Sequence, residues 1–125
     1  MSSLPVVLIL EDETLIAMKL EDDFEAAGYT VSGAFATCRS ALDWLGSDTP
    51  DVAVLDTTVR DGTCKDLAVE LNRRGIPFVV YSGHPEERNL IEELNDAVWI
   101  EKPASTDILI TAIETILNQA TRQQT

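Results

Sequence analysis

The stretch Asp51-Val52-Ala53-Val54-Leu55-Asp56 decides the fold. Its apolar run is short and rich in β-branched side chains, the pattern of a strand buried on both faces of a parallel sheet. A charge closing such a strand is costly unless something pairs with it. Val6-Val7-Leu8-Ile9-Leu10 repeats the pattern and ends in Glu11 and Asp12. Two strands that both deliver acid at their C-terminal tips predict one shared acidic pocket.

Outward from these two strands, the chain alternates strand and helix. Strands are expected at 6–10, 29–34, 51–55, 77–81 and 97–100. A helix at 13–27 carries Leu15, Ile16, Leu20, Phe24 and Ala27 at helical spacing and stops at Gly28. Thr37 is the expected N-cap of a second helix with Ala41, Leu42 and Leu45, ending at Gly46. Asp61-Gly62-Thr63 reads as a turn, with Thr63 capping a third helix that runs to Arg74. Pro85-Glu86-Glu87 suits the opening of a fourth, with proline in the first turn and acids near the positive pole. A last helix at 105–120 places Ile108, Leu109, Ala112, Ile113, Ile116 and Leu117 on one face, and 121–125 is expected to fray. Five strands, each followed by a helix, predict a single α/β domain over 1–125: a (βα)5 parallel sheet covered on both faces.

Composition narrows the function. A chain of 125 residues with 45% apolar content can bury an ordinary core. Nine basic against 22 acidic residues leave a formal charge of −13, which argues against nucleic acid or an anionic membrane as a partner and favours divalent cations and basic protein surfaces. No apolar run approaches the ~20 residues of a membrane span. Met1-Ser2-Ser3-Leu4-Pro5 has no basic region of the kind that opens a signal peptide, so a cytoplasmic protein is expected. Cys38 and Cys64 lack metal-ligand spacing and read as reduced thiols.

In an open doubly wound sheet, ligands bind beyond the C-terminal strand ends, where strand order reverses. The fourth strand ends in Ser82-Gly83 and the fifth in Glu101-Lys102-Pro103, so the edge that holds Glu11, Asp12 and Asp56 also gathers a hydroxyl and an ammonium. Each residue has a plainer reading. Glu11 could cap the first helix, Ser82 could end a turn, Lys102 could be a surface lysine, and Trp99 could be core. His84, the one histidine, reads most simply as an exposed loop residue.

Taken together, Leu10-Glu11-Asp12-Glu13, Val54-Leu55-Asp56, Tyr81-Ser82-Gly83 and Glu101-Lys102-Pro103 closely resemble the receiver domain of two-component response regulators, CheY-like, over residues 5–120. The resemblance implies a flavodoxin-like sheet of order 2-1-3-4-5. It implies a phosphoryl group accepted on Asp56 from a histidine kinase or phosphotransfer protein, with Mg2+ held by Glu11, Asp12, Asp56 and the Thr58 carbonyl. Ser82 and Lys102 would hold the phosphoryl oxygens, Ser82 and Trp99 would act as the switch, and Thr58 and His84 would modulate water access. It also implies a cis Lys102–Pro103 bond. Such a protein catalyses its own phosphorylation and dephosphorylation and is not a turnover enzyme. As a stand-alone receiver, it would signal by protein contact or phosphate relay.

The chain departs from that pattern in places. Arg60 stands where many receivers have proline, four residues after the acceptor. The run from Arg74 through Pro77-Phe78 to Ser82-Gly83-His84 is similar to a single-domain subgroup that often lacks that proline. Three rivals compete. A pseudo-receiver that only binds protein would not need the intact acid, hydroxyl and lysine set. A haloacid-dehalogenase-type hydrolase would want a second acid where Thr58 stands. A flavodoxin-like cofactor protein would want a Gly/Ser-rich phosphate loop after the first strand, which is missing.

Overall fold

The computed structural model describes residues 4–84, 86–87 and 91–123, the side chains of 120–123 excepted. Five parallel strands form the sheet: β1 (Val6–Leu10), β2 (Thr30–Phe35), β3 (Val52–Leu55), β6 (Phe78–Ser82) and β7 (Val98–Glu101). Their order is β2-β1-β3-β6-β7, the expected 2-1-3-4-5. A two-stranded hairpin, β4 (Thr58–Val59) with β5 (Gly62–Thr63), intervenes where only a turn at 61–63 was expected.

Helices cover both faces. α1 (Thr14–Ala26) and α4 (Thr106–Gln123) lie on one side, and α2 (Cys38–Leu45) and α3 (Lys65–Arg73) on the other. The two-residue period of the strands divides the core between them. Val7, Ile9, Val52, Val54, Val79 and Tyr81 pack with Leu20, Phe24, Leu109 and Ile113. Leu8, Leu10, Ala53, Leu55 and Val80 pack with Ala41, Leu45, Leu67 and Leu71. Burying both faces explains why β1, β3 and β6 read as unbroken apolar runs.

Several local expectations need correction. Leu15 is 82% exposed and Ile108 52% exposed; each stands one position before the residue that its helix turns toward the core. The third helix is not capped by Thr63. Its N-cap is Cys64, which makes no side-chain cap bond, although the Thr63 hydroxyl accepts the Lys65 N–H at 3.4 Å. α2, by contrast, is capped as read: Thr37 Oγ1 accepts the Ser40 N–H. Gly28 and Gly75, the expected stops of α1 and α3, have φ of +97° and +71°, the left-handed region that glycine enters without penalty. Of the helix expected from Pro85, positions 85 and 88–90 lie outside the described residues, and Glu92–Leu94 forms a single 3-10 turn. α4 runs to Gln123, past the expected start of fraying at 121. Lys102–Pro103 is cis.

Candidate functional site

The sheet itself holds the site together. Its hydrogen-bond ladder continues one step past the strand ends: Asp56 N–H donates to the Leu10 carbonyl at 3.1 Å, Glu11 N–H to Phe35 at 2.9 Å, and Lys102 N–H to Ser82 at 2.9 Å. These bonds bring the backbones of β1, β3, β6 and β7 to one edge, and their side chains meet above it. Lys102 Nζ donates to Glu11 Oε1 at 2.6 Å and to Asp56 Oδ2 at 3.1 Å. Asp56 Oδ1 accepts the Thr57 N–H at 2.8 Å. The other oxygen of Glu11 accepts the Glu13 N–H at 3.0 Å, so Glu11 both pairs with Lys102 and braces the entry to α1. The Lys102 ammonium also lies 5.4 Å from the centre of the Tyr81 ring, a cation–π distance.

Burial shapes the electrostatics. Glu11 and Asp56 are both buried, and burial raises their carboxyl pKa values above the ordinary range, an effect that Lys102 offsets only in part. Burial works against the Lys102 ammonium, but the Glu11 hydrogen bond and the Asp56 charge outweigh it and hold its pKa above the usual value. Glu11, Asp12 and Asp56 bring one ligand oxygen each to within 4.8 Å of one another. Three carboxylates against one ammonium leave two negative charges, the complement of one hard divalent cation, and the donors are all oxygens. The residues therefore fit a magnesium-type site. Above Asp56 lies an open cavity of about 270 Å³, walled in part by Asp12, Thr58, Gly83, His84 and Lys102.

The sequence-expected residues are thus brought together with differing closeness. Glu11, Asp12, Asp56 and Lys102 form the centre. Thr58 is exposed on β4 at the rim, its hydroxyl 3.3 Å from Glu87 Oε2. His84 is exposed, with Nδ1 3.4 Å from Glu86 Oε1. Trp99 lies on β7, is not among the residues that line the cavity, and is partly buried against the core, with its indole N–H donating to the Leu94 carbonyl at 3.1 Å. Ser82 is buried, and its Oγ accepts the His84 N–H at 3.0 Å.

Three contributors escaped the sequence reading. Thr57 sits beside Asp56 with its hydroxyl 2.9 Å from Ser82 Oγ. Tyr81 closes the loop after Lys102, its hydroxyl donating to the Ala104 carbonyl and accepting the Ala104 N–H. Asp61 accepts the N–H groups of Cys38 and Arg39 at 2.8 and 3.1 Å, tying the hairpin after Asp56 to the start of α2. An acid immediately before a helix is a readable cap, but Asp61 acts from 23 positions away from Cys38, so local spacing carries no sign of it.

Carboxylates and an ammonium from neighbouring strand tips stand around an open cavity, with the Ser82 hydroxyl buried beside it. The family model for the response regulator receiver domain matches residues 7–114. The chain belongs to that family. It is 35% identical over 114 residues to the transcriptional regulatory protein PdtaR of Mycobacterium tuberculosis, an alignment covering 86% of this chain and 54% of that protein. The chain thus spans about half the length of the PdtaR relatives it matches. Among solved structures, it is similar to SdrG from Sphingomonas melonis, with 35% identity, a TM-score of 0.78, and coverage of 94% of this chain and 99% of that one. A CheY-like receiver from Methanospirillum hungatei shares the fold at a TM-score of 0.86 and 24% identity, covering 97% and 99% of the two chains. Among the described residues of this receiver domain, no helix is long and apolar enough to cross a membrane.

Proposed function

We propose that this receiver domain accepts a phosphoryl group on Asp56 from a histidine kinase or phosphotransfer protein, and signals by contact with a downstream protein or by passing the group on. One observation carries the reading. Asp56 faces an open cavity with Lys102 on one oxygen and the oxygens of Glu11 and Asp12 alongside.

A carboxylate attacking a phosphoryl group brings two negative species together, so the barrier is largely electrostatic. Lys102 supplies one fixed ammonium at the point of attack and, with Ser82, hydrogen bonds for phosphoryl oxygens. Mg2+, when bound, adds charge neutralisation at those oxygens. Glu11, Asp12 and Asp56, through their carboxylates, and Thr58, through its carbonyl, would hold the ion. Thr58 and His84, at the rim, govern the approach of water to the acyl phosphate. Ser82 and Trp99 carry the change outward to the face built by the 3-10 turn, β7 and α4, shifting an existing equilibrium between two arrangements. Two buried free thiols suit a reducing, cytoplasmic setting.

The test is incubation with Mg2+ and acetyl phosphate, followed by intact mass measurement. The wild type is expected to gain one phosphoryl group and Asp56→Asn none. Uptake by Asp56→Asn would place the acceptor elsewhere. No uptake by the wild type would favour a protein-binding pseudo-receiver.

A further inference from the structure

Ser82 does not stand where its assigned role requires. It is 1% exposed, and it is absent from the described residues that line the cavity over Asp56. Its Oγ is engaged elsewhere, with the Thr57 hydroxyl at 2.9 Å and the His84 N–H at 3.0 Å. Thr57 is itself fully buried, so the bond between the two hydroxyls is shielded from water. The register of the sheet makes this contact. Leu55 pairs with Val80, and Thr57 and Ser82 each lie two residues further on, which returns both side chains to the same face.

A hydroxyl offers one donor and two acceptor positions. The His84 N–H takes one acceptor position of Ser82, and the bond to Thr57 takes a second position on the same oxygen. Either hydroxyl of the Thr57–Ser82 pair can be the donor; in both cases Ser82 Oγ is off the wall of the cavity, so to reach a phosphoryl oxygen there it must turn away from Thr57. We propose that the Thr57 hydroxyl is a latch: it holds Ser82 in the resting position, and a phosphoryl group on Asp56 competes with it for the Ser82 hydroxyl. Thr57 is then a positioning residue that sets how readily the switch responds. The inference rests on the phosphoacceptor reading of Asp56.

Valine matches threonine in shape and lacks the hydroxyl. Thr57→Val removes one net hydrogen bond from the resting arrangement and none from the engaged one. The engaged state should therefore be favoured by about five-fold. The experiment titrates beryllofluoride, a tetrahedral phosphoryl mimic, into the Mg2+-loaded protein by calorimetry. Thr57→Val is expected to bind about five-fold more tightly than the wild type, Thr57→Ser, which keeps the hydroxyl, is expected to match the wild type, and in a Ser82→Ala background Thr57→Val is expected to change nothing. A merely structural role for Thr57 would lower the melting temperature and leave the affinity unmoved. Equal or weaker binding by Thr57→Val overturns the latch while leaving the phosphoacceptor reading intact. Absence of Mg2+-dependent binding by the wild type overturns both. Should Thr57→Val melt below the assay temperature, Thr57→Ala reports the same affinity ratio, with the same outcomes deciding.

Discussion

Asp56 carries the pH dependence that distinguishes this site. Burial raises the Glu11 and Asp56 pKa values above those of the unfolded chain, so between the ordinary carboxylate value of about 4 and the raised value the folded protein holds protons that the unfolded chain has released. Stability from these two groups therefore falls as pH rises through that window. Asp23, Asp61 and Glu70, outside the core, are shifted downward by their hydrogen bonds and act in the opposite sense, losing stability as pH falls. The difference between wild type and Asp56→Asn isolates the site: in metal-free buffer, the advantage of Asp56→Asn in melting temperature is expected to grow as pH climbs out of the acid range. An advantage that stays constant with pH would mean that Asp56 is not raised. The central acids were legible because each closes an apolar run. Thr57 was not, because a hydroxyl beside a strand tip gains meaning only when the neighbouring strand and its register are known. Cys38 and Cys64 read as reduced thiols; both are buried and free, and burial pushes their pKa values up to about 11 and about 12.

At the scale of elements, strands were easier to read than helices. β1, β3 and β6 are buried on both faces, so their runs stay apolar until the tip, where Ser82 closes β6. Helices expose one side, and where two apolar residues are adjacent, as at Leu15-Ile16 and Ile108-Leu109, helical spacing alone does not say which one faces the sheet. The hairpin β4–β5 was missed because its two-residue strands carry no periodic signal. Its link to α2 through Asp61 is open to test. Asp61→Ala removes the acceptor for two helix N–H groups and should lower the midpoint of a urea titration. It should also loosen the loop that carries Thr58, seen as faster amide exchange at 58–63. No loss of stability would show that water caps α2 equally well.

At the scale of the whole molecule, a chain of charge −13 draws three of its 22 acids together at one site. A divalent cation that binds only the folded pocket should relieve that repulsion. At a concentration about 100 times its Kd, Mg2+ should add about 2.7 kcal/mol to stability. A thermal melt with and without millimolar Mg2+ measures this; the rise should shrink in Asp12→Asn. An unchanged wild-type melt would count against the metal site. The ladder bonds that run past the strand ends have a wider consequence. They hold the site by its main chain, so the frame does not depend on which side chains stand there. Charge and architecture are consequently separable: an acid at this edge can be exchanged for its amide while the strand order and the main-chain ladder stay as they are.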